Sequence, residues 1–196
     1  MKRVLTILKV LVHQTDILET MTPIEFLTFR DRLESASGFQ SSQFREIKFT
    51  LGYKNKKALS RSDYLPEDKI KLQKRFDEPS LWQVFLNFLK INNYSVPNEL
   101  IDGANNESYS NSTEDKLKNV LIEIYYKNYN IAQFCELMLD LDEGFQEWRY
   151  RHVKMVERTI GTKTGTGGSD GVQYLHTTLS TKFFPVLWSI RKDFNK

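Results

Sequence analysis

Three groups of residues have types and spacing that can do chemistry. The first centres on His152, in "EWRYRHVKMVERTIG" (147–161). Phe145, Trp148, His152, Met155, Val156 and Thr159 recur at helical offsets, so they share one face, with the imidazole inside an apolar stripe. Such a histidine is either a core residue satisfied by hydrogen bonds or a metal ligand. Zinc takes about four protein or water ligands, and the stripe offers no further Cys, His or carboxylate. Haem iron needs only one imidazole, because the porphyrin supplies the other nitrogens. Arg149, Arg151, Lys154, Glu157 and Arg158 flank the stripe, either to pair with propionates or as a solvated face.

The second group is "GTKTGTGGSDG" (161–171). It is not a P-loop, since no Lys directly follows a Gly. It is not a dinucleotide fingerprint, since the third glycine comes one place late and a helix precedes it. Glycines let backbone amides approach a ligand, and threonines add hydroxyls. The stretch reads either as a cover over a ligand or as a connector. The third group is Arg30, in "IEFLTFRDRL" (24–33), where Phe26, Phe29, Arg30 and Leu33 share a face. A guanidinium on an apolar face calls for an anion. The choices are an internal salt bridge, a side chain that snorkels out, or a two-pronged clamp on a ligand carboxylate.

The elements that must position these groups are helical. The chain has 196 residues, which suits one domain with a real core. A net charge of +3 is too weak to argue for nucleic acid or a membrane surface. Cys135 is the only cysteine, which excludes intramolecular disulfides and fits a reducing, cytoplasmic setting. "MKRVLTILKVLV" is interrupted by Lys9 and lacks a cleavage site, so it is no signal peptide. Apolar residues recur at helical spacing and strand alternation is scarce, so the fold class is all-α, a helical bundle.

A first helix carries Leu5, Leu8, Leu11, Val12 and Leu18. Capping signals stand at "TPIE" (22–25), "SGFQ" (37–40) and "SLWQ" (80–83). Residues 52–65 read as a polar connection and 96–113 as a long surface loop. Glu114 to Ile160 reads as two helices broken near Asp140 to Gly144. A last helix runs through "VQYLHTTLSTKFFPVLWSIRK" (172–192), with a break before Pro185.

Three stretches together resemble the tryptophan 2,3-dioxygenase family: "ILETMTPIEFLTFRDRLESASGFQSSQFR" (17–45), "EWRYRHVKMVERTIG" (147–161) and "TKTGTGGSDGVQYL" (162–175). The resemblance implies an all-α, homotetrameric enzyme holding haem b, with no nucleic-acid or membrane partner. It implies insertion of both atoms of dioxygen across the indole C2–C3 bond of L-tryptophan. The product would be N-formylkynurenine, at the first step of tryptophan catabolism in the kynurenine pathway. On the same resemblance His152 matches the axial ligand of the haem iron, and Arg30 the residue that grips the substrate carboxylate. Thr166 matches a loop threonine at the amino and carboxylate end of the substrate. Phe26 and Leu33 match side chains walling the indole pocket, and Ser37 with Gly38 a position beside haem and substrate.

One departure stands out. The family carries an upstream helix with a "HQxxEL"-type motif, whose histidine contacts the indole nitrogen. His13-Gln14-Thr15 mimics it, but "ILETMTP" (17–23) fixes a register that puts His13 on a later helix. No catalytic residue is therefore assigned within the chain. The first helix also shows no cap before its apolar pattern. The expectation is a single domain over 1–196, incomplete at its N-terminus, from a parent enzyme. The alternative is a catalytically impaired helical module that binds haem or tryptophan.

Overall fold

The computed structural model describes residues 5, 6, 8–10, 12, 13, 16, 20–33, 41–59, 64–102, 109–165 and 171–195. Among them regular structure is helical and no strand occurs. Helical residues between 5 and 16 come first. Then follow α1 (Pro23–Arg30), with a 3₁₀ turn over Asp31–Leu33, and α2 (Ser42–Leu51). A turn over Lys56–Ala58 leads to α3 (Pro66–Asp77), α4 (Leu81–Ile91) and α5 (Asn98–Asp102). The chain continues through α6 (Asn111–Lys127), α7 (Tyr129–Ile160), α8 (Val172–Thr178), α9 (Pro185–Ser189) and a last turn, Ile190–Asp193. Among the described residues no helix is long and apolar enough to cross a membrane.

The chain forms two compact units. One comprises Met1–Phe39 and Leu137–Lys182, the other Gln40–Glu136 and Phe183–Lys196. In the second unit, Phe49, Ala58, Tyr64 and Leu72 form one buried cluster, and Trp82 packs on Phe85 and Phe184, each at 5.7 Å between ring centroids. Lys54 closes the end of α3 by donating to the carbonyls of Phe76 (2.6 Å) and Glu78 (2.7 Å). Its burial lowers the ammonium pKa, against the attraction of Asp77. Arg191 donates to Glu136 at 2.6 Å and lies over the Tyr125 ring, which ties the C-terminal turn to α6 and α7. The first unit buries Leu8, Val12, Leu141, Phe145, Val153, Val172 and Leu175.

Two capping signals form as the sequence indicates. Thr22 and Ser80 each accept from the backbone three residues on, and Glu25 and Gln83 reach back. The third, at 37–40, lies outside the described residues; α2 is seen from Ser42, capped by Ser41. The expected break at 140–144 is absent. α7 runs 32 residues without interruption, because Asp142, Leu141 and Phe145 are buried in this stretch and Gly144 faces Leu8. Packing there outweighs the roughly 1 kcal/mol by which glycine disfavours a helix.

The real break is Asn128, with φ −136° and ψ 86°. Its side-chain oxygen accepts from Ile131 N at 3.2 Å, so one asparagine ends α6 and starts α7. The expected loop at 96–113 contains α5, which buries Leu100, and the first turn of α6, capped by Ser110. The connection at 52–65 is not wholly polar, since Ala58 and Tyr64 enter the core. The expected last helix stops at Thr178 and restarts at Pro185; Phe184, the residue before the proline, has φ −126° and ψ 62°, outside the helical region that proline disfavours for its predecessor.

A Cβ added at Gly144 would sit 3.4 Å from Leu8 Cδ1, an ordinary contact. Gly144→Ala is therefore expected to raise stability by up to about 1 kcal/mol, read as a higher midpoint in chemical denaturation. A lower midpoint would show that the helix needs the gap.

Candidate functional site

The site is built outward from α1. Its N-terminus is fixed by a reciprocal cap: Thr22 N donates to the Glu25 carboxylate at 2.8 Å, and Glu25 N donates to Thr22 Oγ1 at 3.3 Å. The Thr22 N–H, and then the Thr22 hydroxyl at 2.7 Å, hold the Glu25 carboxyl below its usual range. Pro23 adds a preset φ at the first helical position. Phe26 and Phe29 meet edge to face, with centroids 5.2 Å apart.

No residue of α1 is fully buried. Phe26, Phe29, Arg30 and Leu33 are half-buried, so this face is neither core nor open surface. Arg30 Nη2 donates to the backbone carbonyl of Thr164, in the Gly/Thr stretch. Its Nε is buried with no hydrogen-bond partner among the described residues. A carbonyl takes a proton but supplies no countercharge, and among the described residues no carboxylate pairs with Arg30. The guanidinium therefore keeps donor capacity for an anion.

The described part of the loop is held by two glycines. Gly161 N donates to Glu157 O at 3.0 Å and Lys163 N to Ile160 O at 3.2 Å, which turns the chain out of α7. Gly161 and Gly171 both have φ of +58°. A Cβ at Gly171 would lie 2.5 Å from Lys163 O, so the two ends of the loop touch through a backbone that tolerates no side chain. A Cβ at Gly161 would meet nothing within 4 Å. Gly171→Ala is expected to cost roughly 1–3 kcal/mol for its backbone alone, and more for the collision. Gly161→Ala should cost less; equal losses in urea unfolding would dismiss the packed loop closure.

His152 lies half-buried on α7, its ring stacked on Trp148 at 5.9 Å with 23° between planes. Burial pushes its pKa down to about 4. At neutral pH the imidazole is thus uncharged, the form that ligates a metal. Among the described residues no group of three or more His, Cys, Asp or Glu is placed to hold a bare ion. His152 thus offers one neutral nitrogen donor, the number that a metal already held in a porphyrin requires of the protein.

The flanking charges are not a simple solvated face. Arg149 is 1% exposed, and its Nη1 donates to Thr181 O at 2.7 Å. Arg151 pairs with Asp16, and Lys154 with Glu157 at 2.8 Å. Arg158 is exposed and, with Met155, Thr159, Thr20, Met21, Thr22 and Pro23, lines a cavity of about 150 Å³ between α7 and the start of α1. His13 is exposed, 3.5 Å from Asp16.

The structure thus joins Arg30 to the Gly/Thr stretch and sets Phe26 and Leu33 beside it on α1 and its 3₁₀ extension. Ser37, Gly38 and Thr166 lie outside the described residues. Sequence reasoning missed the acceptor at Thr164, which is a backbone atom and leaves no side-chain signal. It also missed the Trp148–His152 stack, which the offset of four could have shown.

The family model described as tryptophan 2,3-dioxygenase matches residues 1–90 and 97–193. The tryptophan 2,3-dioxygenase of Herpetosiphon aurantiacus is 53% identical over 192 residues, covering 98% of this chain and 72% of that protein. The protein of the same name from Anaeromyxobacter sp. strain K is 47% identical over 191 residues, covering 97% and 71%. That of Myxococcus xanthus is 39% identical over 198 residues, covering 97% and 66%.

Proposed function

The chain belongs to the tryptophan 2,3-dioxygenase family, and from that premise we propose that it cleaves the indole C2–C3 bond of L-tryptophan with dioxygen. The product of the reading is N-formylkynurenine, which opens the kynurenine route of tryptophan catabolism. The observation that carries it is the Arg30 guanidinium, bonded on one side to the Thr164 carbonyl and keeping a buried Nε for a ligand.

A free amino acid brings a carboxylate, an ammonium group and an apolar ring. Arg30 offers the carboxylate parallel N–H donors, in a setting that strengthens them. Phe26 and Leu33 give the indole an apolar wall. Thr166 would meet the amino and carboxylate end, with Ser37 and Gly38 alongside. His152, neutral at physiological pH, would hold haem b as the axial ligand, and Trp148 keeps its ring oriented by stacking. When bound, the haem supplies ferrous iron for dioxygen chemistry. With the haem bound, the apolar stripe around His152 would be covered and water excluded from that face.

Assembly as a homotetramer and a cytoplasmic location belong to the same reading. The first is supported by the exposed apolar residues Val84, Phe88 and Ile91, spaced along one side of α4. The second is supported by Cys135 as a free thiol.

The direct test is incubation of the haem-loaded, reduced protein with L-tryptophan in air, followed by mass analysis. N-formylkynurenine is expected; haem and tryptophan binding without product would leave an impaired binding module. His152→Ala should abolish the Soret band on reconstitution, and an unchanged haem spectrum would remove the ligand assignment. Arg30→Ala should raise the KM for tryptophan by roughly 10², from the loss of about 3 kcal/mol of charge-assisted bonding. An unchanged KM would refute the clamp.

A further inference from the structure

One side-chain pair bridges the helices that enter and leave the loop. Glu157 Oε1 on α7 lies 2.9 Å from His176 Nε2 on α8. Its other oxygen accepts from Lys154 Nζ at 2.8 Å. These partners, Lys154 foremost, hold the Glu157 carboxyl below its usual range. The pair is partly exposed on both sides. It does not form either helix; it joins residues 19 apart in sequence.

Its position relative to the loop gives it a consequence. The Glu157 carbonyl also receives the Gly161 N–H, where the chain leaves α7. His176 lies in the last turn of α8, whose first residue follows Gly171. Gly171 in turn packs against Lys163 O and Gly165 N. Thr164, between those two, receives Arg30. Close backbone approach at Gly171 thus links the start of α8 to the residues that flank the carbonyl Arg30 meets.

We propose that Glu157 and His176 are positioning residues for substrate recognition, fixing α8 against α7 so that the Thr164 carbonyl stays where Arg30 meets it. Neither side chain touches substrate in this scheme. The proposal rests on the reading of Arg30 as the carboxylate clamp, and it assigns the loop's geometry to a hydrogen-bonded side-chain pair outside the pocket.

The test compares the haem-loaded full chain as wild type, His176→Ala and His176→Arg. The arginine keeps an N–H donor within reach of Glu157. His176→Ala should raise the KM for L-tryptophan about two- to fivefold, the range for an exposed side-chain pair, with kcat and the Soret band changing less. Tryptic cleavage after Lys163 should quicken in the same variant. His176→Arg should move both readouts back toward wild type. Glu157→Gln gives the same comparison if His176→Ala folds poorly.

Unchanged KM and unchanged cleavage in the alanine variant overturn the proposal, and so does an arginine variant as impaired as the alanine one. Wild-type protein that makes no N-formylkynurenine defeats the dioxygenase reading instead. Cleavage after Lys163 then tests by itself whether the pair holds the loop.

Discussion

A guanidinium bonded to a loop carbonyl is the constraint around which the first unit is arranged. Arg30 ends a short helix that buries no residue completely, so core packing alone does not fix it. The helix is held at its start by the Thr22–Glu25 cap and at its end by the Thr164 carbonyl. The bond satisfies one donor and leaves the charge uncompensated by any described carboxylate. Burying a cation against neutral acceptors is costly unless a counter-ion arrives. The fold thus carries an electrostatic demand that a carboxylate-bearing ligand would meet.

The other half of the arrangement depends on the length of α7. An uninterrupted helix of 32 residues is roughly 48 Å long at the usual rise. Its residues alternate between buried and half-buried positions. Arg149 is buried and donates to Thr181, beyond α8. His152, three residues on, is desolvated and stacked on Trp148. Glu157, five further, meets α8. A break at Gly144 would have let these positions turn independently of the segment that packs against Leu8. Gly144 instead packs beside Leu8 in an unbroken helix.

What was legible in the sequence follows from the range of the interaction. The caps at Thr22 and Ser80 are local, three residues across, and their side chains name them. Arg30 was legible as an anomaly, a charge in an apolar stripe. His152 was legible in the same way, and its alternatives narrowed only because family strings surround it. The break at Asn128 was missed because Asp, Glu and Gly crowd 140–144 and composition there speaks louder than one asparagine. Only tertiary burial of Asp142 and Phe145 reverses that reading. Thr164 was beyond reach, since its acceptor is the main chain. Ser37, Gly38 and Thr166 rest on resemblance alone.

The division between fold and site also has an energetic side. Residues that hold the first unit together, such as Phe145, Val153, Leu175 and Arg149, are buried. Phe26, Phe29, Arg30, Leu33 and His152 are half-buried. A half-buried apolar face forgoes part of its burial energy, at about 25 cal/mol per Å². Such a face gains that energy only when something apolar covers it. Ligands that bind the native state alone stabilise it by mass action. A tryptophan with its indole against Phe26 and Leu33 and its carboxylate on Arg30 would complete α1 as much as α1 binds it. Recognition and local stability are then two descriptions of the same contacts.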